Sequence, residues 1–178
     1  TGLYERRLQE AAATRDGWTV VMYHRVIEDP ALDPFELGMC VLVDRFDRQM
    51  RYLASRFNVI PVLEGVRRLQ AGQSLPERAL SITFDDGYLD TLTTALPVME
   101  RLSLPPTVFV PTGGLDSGEP LWWDRVIGAI ACTDQLTLDL QGIGLSLQPE
   151  LLALTGTGRS IAVERVLDQL WLLEYKTT

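Results

Sequence analysis

Two short runs constrain this chain more than anything else in it. Trp18-Thr19-Val20-Val21-Met22-Tyr23 and Ala79-Leu80-Ser81-Ile82-Thr83-Phe84 are near-continuous stretches of apolar and β-branched residues. Runs of this length and density suit strands buried on both faces, the pattern of a parallel sheet. Between them, Phe46, Met50, Leu53 and Phe57 recur at spacings of four, three and four, one face of a helix. Asp44 is placed to cap that helix. Asn58-Val59-Ile60 reads as a short strand. Leu63, Val66 and Leu69 mark a second helix, which Gly72 can stop. Residues 24–43 hold two prolines and little periodicity, so they read as a long loop.

Beyond the second run, Tyr88 to Leu102 is helical in pattern, with Leu92, Ala95, Met99 and Leu102 on one side. Pro97 inside it should kink or split the helix. Thr107 to Val110 reads as a further strand after Pro105-Pro106. The order of strands and helices predicts an α/β protein with parallel strands and flanking helices. After Pro111 the character changes. Residues 111–120 are Gly- and Pro-rich, Trp122 to Cys132 looks helical, and residues 149–154 and 160–175 also read as helices. Leu136, Leu138 and Leu140, then Ile143, Leu145 and Leu147, alternate with polar residues around Gln141-Gly142, a hairpin signal. The segment Gly156 to Ser160 lacks the Gly-Lys-Ser/Thr ending of a phosphate loop and is set aside. Three segments follow from this reading: a helix within 1–17, an α/β part at 18–121, and an insertion or helical extension at 122–178.

Charge and composition close off several function classes. With 16 Lys plus Arg against 24 Asp plus Glu, the net charge is −8, which argues against nonspecific nucleic-acid binding. No apolar run approaches the roughly 20 residues needed to span a bilayer. The charged opening segment carries no signal-peptide pattern. Cys40 and Cys132 form no C-x-x-C motif and read as two buried free thiols. There is a single histidine, His24, so this chain alone cannot build a multi-histidine metal site.

The chemistry sits where the second run ends, in Asp85-Asp86-Gly87. Sites in α/β folds are built at the carboxyl ends of parallel strands. Adjacent carboxylates there diverge, so one can hold a cation while the other stays a free base. Gly87 permits the tight turn that aims both. The plainer reading is that these acids cap the helix that follows. Capping needs only one of them, and a second close charge is costly unless neutralised.

The longer string Thr83-Phe84-Asp85-Asp86-Gly87-Tyr88, followed by Asp90, resembles the first motif of the polysaccharide deacetylases, the nodulation-type carbohydrate esterases. Met22-Tyr23-His24-Arg25-Val26 looks like that family's opening strand. Ala95-Leu96-Pro97 and Leu104 to Val110 look like its A-x-P helix and its G-x-P-A-T-x-F strand. Trp122-Trp123-Asp124-Arg125 resembles an insertion in one bacterial branch. The resemblance runs from about residue 18 to 126. It implies a distorted (β/α) barrel, here incomplete, that removes acetyl groups from N-acetylated glycans. It further implies Asp85 as general base and Asp86 as ligand to zinc or another divalent metal, whose bound water attacks the acetamide.

His24 lies in the opening strand's motif as a structural residue or a third ligand. Tyr88, Trp122 and Trp123 are candidate sugar-contacting residues, although paired tryptophans in a helix also serve to anchor packing. The family's H-x-x-x-H motif and its later Arg, Asp/Trp and Leu/His motifs have no counterpart in this sequence. The expectation is therefore a front part of a longer protein, inactive alone and weak in zinc binding. Its uncovered strand edges predict oligomerisation or pairing with a second chain. Two other functions are compatible with the residues: a non-catalytic carbohydrate-binding or assembly subunit, and a nucleotide-sugar glycosyltransferase. Against the latter, Tyr88 follows the D-D-G and no separate D-x-D motif follows a strand. The branch with the Trp-Trp insertion leans toward the cytoplasm.

Overall fold

The computed structural model describes residues 17–113, 115, 118–138, 152–154 and 157–174. The helix expected at 3–15 and the residues 140–147 of the expected hairpin lie outside these. The chain divides into two units, one of residues 1–32 and 38–111 and a second of residues 33–37 and 112–178.

In the first unit, β1 (Trp18–Tyr23) and β5 (Ala79–Phe84) lie side by side in parallel, Trp18 opposite Ala79 and Tyr23 opposite Phe84. The other edge of β5 is shared. β4 (Asn58–Val59) pairs with its first half and β6 (Pro106–Val108) with its second, both parallel. β5 is thus central, and all six of its residues are buried. β1 meets only half of its expectation. Val21 and Tyr23 are buried, but Val20 and Met22 are more than half exposed. Alternation wins over the continuous apolar pattern because β1 has a strand partner on one edge only among the described residues.

The face carrying Val21, Tyr23, Leu80, Ile82 and Phe84 is covered by α1 (Val43–Arg56) and α3 (Leu96–Arg101). Phe46, Met50 and Leu53 of α1 are buried as their spacing requires. The rings of Tyr23, Phe46 and Phe84 form the centre, with centroids 5.1–5.9 Å apart. Edge-to-face and offset contacts at this range suit the ring quadrupoles. Asp44 does not cap α1: Leu42 holds that position, and Asp44 lies in the first turn, where its charge suits the helix dipole.

Two further expectations need correction. Residues 24–43 are not all loop, because β2 (Arg25–Ile27) and β3 (Cys40–Leu42) pair in parallel, joined through a 3₁₀ turn at Pro30–Leu32. In α2 (Val62–Gln70), Leu63 and Leu69 are more than half exposed and Val66 lies at the surface, so the apolar stripe faces outward. The buried residue of that helix is Gly65, where an added Cβ would lie 2.5 Å from the Trp18 ring. Only a glycine lets the helix come so close to the indole. Gly72 ends α2 as expected, with φ +67° and its N–H donated to Leu69 O. The helix read over 88–102 is split, as Pro97 within it predicts. A π-helical turn at Thr91–Ala95 runs into α3, and Pro97 sits in the first turn of α3, where its missing N–H costs nothing.

The second unit packs α4 (Trp122–Cys132) and α5 (Gly158–Glu174) around Ile130, Leu154, Ala162 and Val163, with Phe35 joining them. β7 (Thr137–Leu138) pairs antiparallel with β8 (Leu152–Ala153). Residues 152–153 were expected in a helix and are strand instead. Arg159 explains how α4 ends. Its guanidinium donates to the carbonyls of Ile130, Ala131, Thr133 and Leu154 at 2.6–2.8 Å, satisfying helix-end oxygens that would otherwise be orphaned. Cys40 and Cys132 are not buried as expected: Cys40 is half-buried and Cys132 exposed. No described helix is long and apolar enough to cross a membrane.

Candidate active site

The register of β1 and β5 determines what meets at their carboxyl ends. One step past Tyr23 and Phe84, His24 and Asp85 come next on neighbouring parallel strands. The ladder continues there, since Asp85 N–H donates to Tyr23 O at 2.9 Å. Alternation puts both residues on the face of Val20, Met22, Ser81 and Thr83, opposite the helix-covered core. Both are half-buried.

The chain then turns sharply. Asp86 has φ +70° and Gly87 φ +65°, so two successive residues take the left-handed conformation. Glycine adopts it freely, and aspartate tolerates it better than most residues. A left-handed non-glycine residue costs of order 1–3 kcal/mol and persists where the surroundings impose it. Neither acid sits at the cap of the following helix. That position belongs to Asp90, which makes no side-chain cap bond.

Asp90 instead reaches across to the β1–β2 corner. Its Oδ2 accepts from Arg25 Nε at 2.8 Å and its Oδ1 from the Val26 N–H at 3.2 Å. The Arg25 guanidinium lies 4.9 Å from the centre of the Tyr88 ring, a cation–π contact. Partial burial of Arg25 works against its charge, but the hydrogen bond and charge of Asp90 outweigh this and raise its pKa above the ordinary guanidinium value. The two loops that present His24 and the acid pair are thereby tied together. Sequence reading quoted Arg25 and Asp90 within the motifs but gave them no role. They stand 65 positions apart, and only the sheet register brings them together.

His24, Asp85, Asp86 and Tyr88 therefore gather at one end of one sheet in the first unit. Trp122 and Trp123 belong to the second unit. Their rings form a cluster with Trp171, with centroids 4.9–5.6 Å apart, against the α4–α5 core. Among the described residues, no group of three His, Cys, Asp or Glu is placed to hold the divalent ion that the family resemblance implies. Asp86 and His24 by themselves do not complete a metal site.

A parallel sheet with flanking helices and an acid pair at its carboxyl end is the place where α/β proteins build their sites. Known proteins narrow the choice. The chain is 28% identical over 110 residues, 61% of its length, to the poly-beta-1,6-N-acetyl-D-glucosamine N-deacetylase of Escherichia coli K12. It spans only 16% of that relative. Among solved structures it is similar to IcaB from Ammonifex degensii, with 25% identity and a TM-score of 0.51, covering 66% of this chain and 50% of that one. It also shares the fold of the Streptococcus pyogenes deacetylase PplD, at 21% identity and a TM-score of 0.52, covering 65% and 52%. No protein-family model matches the chain. The relatives and solved structures support the polysaccharide deacetylase family over part of the chain. The mixed α/β fold with parallel strands and flanking helices is that of part of a (β/α) barrel.

Proposed function

We propose that this chain carries the acidic part of a site that removes acetyl groups from an N-acetylated glycan. The observation that carries the reading is the meeting of His24 and Asp85 at the ends of adjacent parallel strands, with Asp86 held in a left-handed turn beside them. The named activity of the curated relatives, glycan N-deacetylation, supports the same reading.

In this reading Asp85 is the general base. It takes a proton from a water whose oxygen bonds to the acetamide carbon. The proton held by Asp85 then passes to the nitrogen, the C–N bond breaks, and the sugar amine and acetic acid, which ionises to acetate, are released with Asp85 restored. Asp86 contributes one ligand, and His24 a second or a supporting hydrogen bond, to a divalent site for which zinc is the expected ion. The remaining imidazoles come from residues outside this chain, whose one histidine is His24. Tyr88, which packs against Arg25, borders the sugar in this reading. Val20 and Met22 are then covered by another segment or a second chain in the working protein.

Calorimetry with zinc and an acetate-release assay on an acetylated chito-oligomer and on poly-β-1,6-N-acetylglucosamine test this. The 178-residue chain alone should bind zinc more weakly than micromolar and show no turnover. Tight zinc binding with turnover would overturn the divided-site reading. In a longer form that is active, Asp85→Asn should lower kcat at least about 10²-fold with little change in KM. An unaltered kcat would remove Asp85 as base.

A further inference from the structure

The acid turn is fastened at both ends to one corner of the first unit. At its near end the Asp85 N–H donates to Tyr23 O at 2.9 Å. At its far end Asp90 accepts from Arg25 Nε and from the Val26 N–H. Between these anchors lie Asp86 and Gly87, both left-handed. The turn also sits close against the end of the sheet, since a Cβ added at Gly87 would lie 3.2 Å from Val110.

Asp90 departs from the habit of its residue type. An aspartate at the start of a helical turn ordinarily accepts from the backbone N–H groups that follow it. Asp90 stands at that position and makes no such bond, and its carboxylate goes to the β1–β2 corner instead. Its bond to Arg25 joins two charges whose side chains are only 15% and 25% exposed, so it belongs to the stronger kind of hydrogen bond. A left-handed aspartate, for its part, persists where its surroundings impose that conformation. Gly87 adopts it freely, so Asp86 is the residue on which the anchors act.

We propose that Asp90, through Arg25 and the Val26 N–H, is a positioning residue. It holds position 86 in the left-handed conformation and so fixes where the Asp85 and Asp86 carboxylates point. Its consequence for kcat rests on the acetyl-removing reading, whereas its effect on the turn does not.

Position 86 can report its own backbone. Asp86→Gly and Asp86→Ala remove the same carboxylate, but only alanine resists a positive φ. In urea unfolding of the 178-residue chain, Asp86→Gly should be more stable than Asp86→Ala by roughly 5- to 30-fold in the unfolding constant. With Asp90→Ala added to both, the two should agree within about twofold or reverse in order. Where Asp90→Ala prevents folding, Asp90→Asn makes the same comparison. It removes the charge, keeps an acceptor for the Val26 N–H, and should narrow the gap at least about threefold. A gap that the Asp90 variants leave unchanged would overturn the proposal, as would the lack of a gap in the original background. In a longer form that deacetylates, Asp90→Asn should lower kcat about 10-fold or more and leave KM within about twofold. An unchanged kcat there would overturn the positioning role and leave Asp85 as base. If instead Asp85→Asn leaves kcat unaltered, the acetyl-removing reading fails, and the urea comparison still decides whether Asp90 sets the turn.

Discussion

β1 and β5 are near twins in composition and lie in register, yet they end in different environments. All of β5 is buried, whereas Val20 and Met22 of β1 are 52% and 56% exposed. The difference lies in neighbours. β5 has β1 on one edge and β4 with β6 on the other, while β1 has β5 alone among the described strands. On the helix side both strands serve one core, through Val21, Tyr23, Leu80, Ile82 and Phe84. On the other side α2 meets Trp18, at the start of β1, through Gly65, and the Trp18 indole N–H donates to Ser81 Oγ. An apolar run therefore states a capacity for burial, and position in the sheet decides how much of it is used.

The largest effect that could break this comparison is truncation in β5. Phe84→Ala should cost about 3–5 kcal/mol in urea unfolding, as expected for a fully buried ring. Val20→Ala should change stability by less than about 1 kcal/mol. Equal losses at the two positions would show that β1 is covered on both faces after all. Next comes the Trp18 end of the open face. Gly65→Ala should destabilise by about 1–3 kcal/mol, because its Cβ would collide with a rigid indole. A neutral result would show that α2 is only loosely seated there.

The tie between the two site loops should be of similar or smaller size. Asp90→Ala leaves the Val26 N–H and the Arg25 guanidinium without their acceptor, at a cost of about 1–2 kcal/mol given their partial exposure. A double-mutant cycle with Arg25→Ala isolates the pair, and additive losses would show that the two loops are not coupled. The smallest effect lies on the outer surface of α1. Asp47 accepts from Arg51 and Arg101, and chiefly the Arg51 hydrogen bond holds its carboxyl below the usual range. A depressed folded pKa stabilises above the unfolded value, and that stabilisation is lost as pH falls through the folded one. Carboxyl NMR should show Asp47 titrating below an ordinary aspartate, with the difference shrinking in high salt. A titration at the ordinary position would show that these surface pairs do not persist in solution.

Legibility differed by region for physical reasons. The helix over Phe46, Met50 and Leu53 could be read directly, since one face meets one core. The stripe Leu63, Val66, Leu69 had the same spacing and misled, because α2 approaches the sheet through Gly65, a residue that hydrophobicity cannot flag. The acid turn was legible as a motif, and the left-handed φ at Gly87 fits the freedom read into that glycine. The Arg25–Asp90 tie was not legible, since no local pattern links positions so far apart. Nor was the role of Arg159, whose guanidinium seals the end of α4 from a segment 26 to 29 positions further along the chain.

By itself the sequence determined the parallel α/β class, the two long strand runs, the acid pair and its likeness to the deacetylases. These rest on local quantities: side-chain period, β-branching, a turn glycine and a motif's order. Tertiary structure alone decided which apolar residues are buried, which loops are joined, and that His24 stands beside Asp85. Those depend on strand neighbours and register, which are set by the packing of segments distant in the chain and leave no local trace.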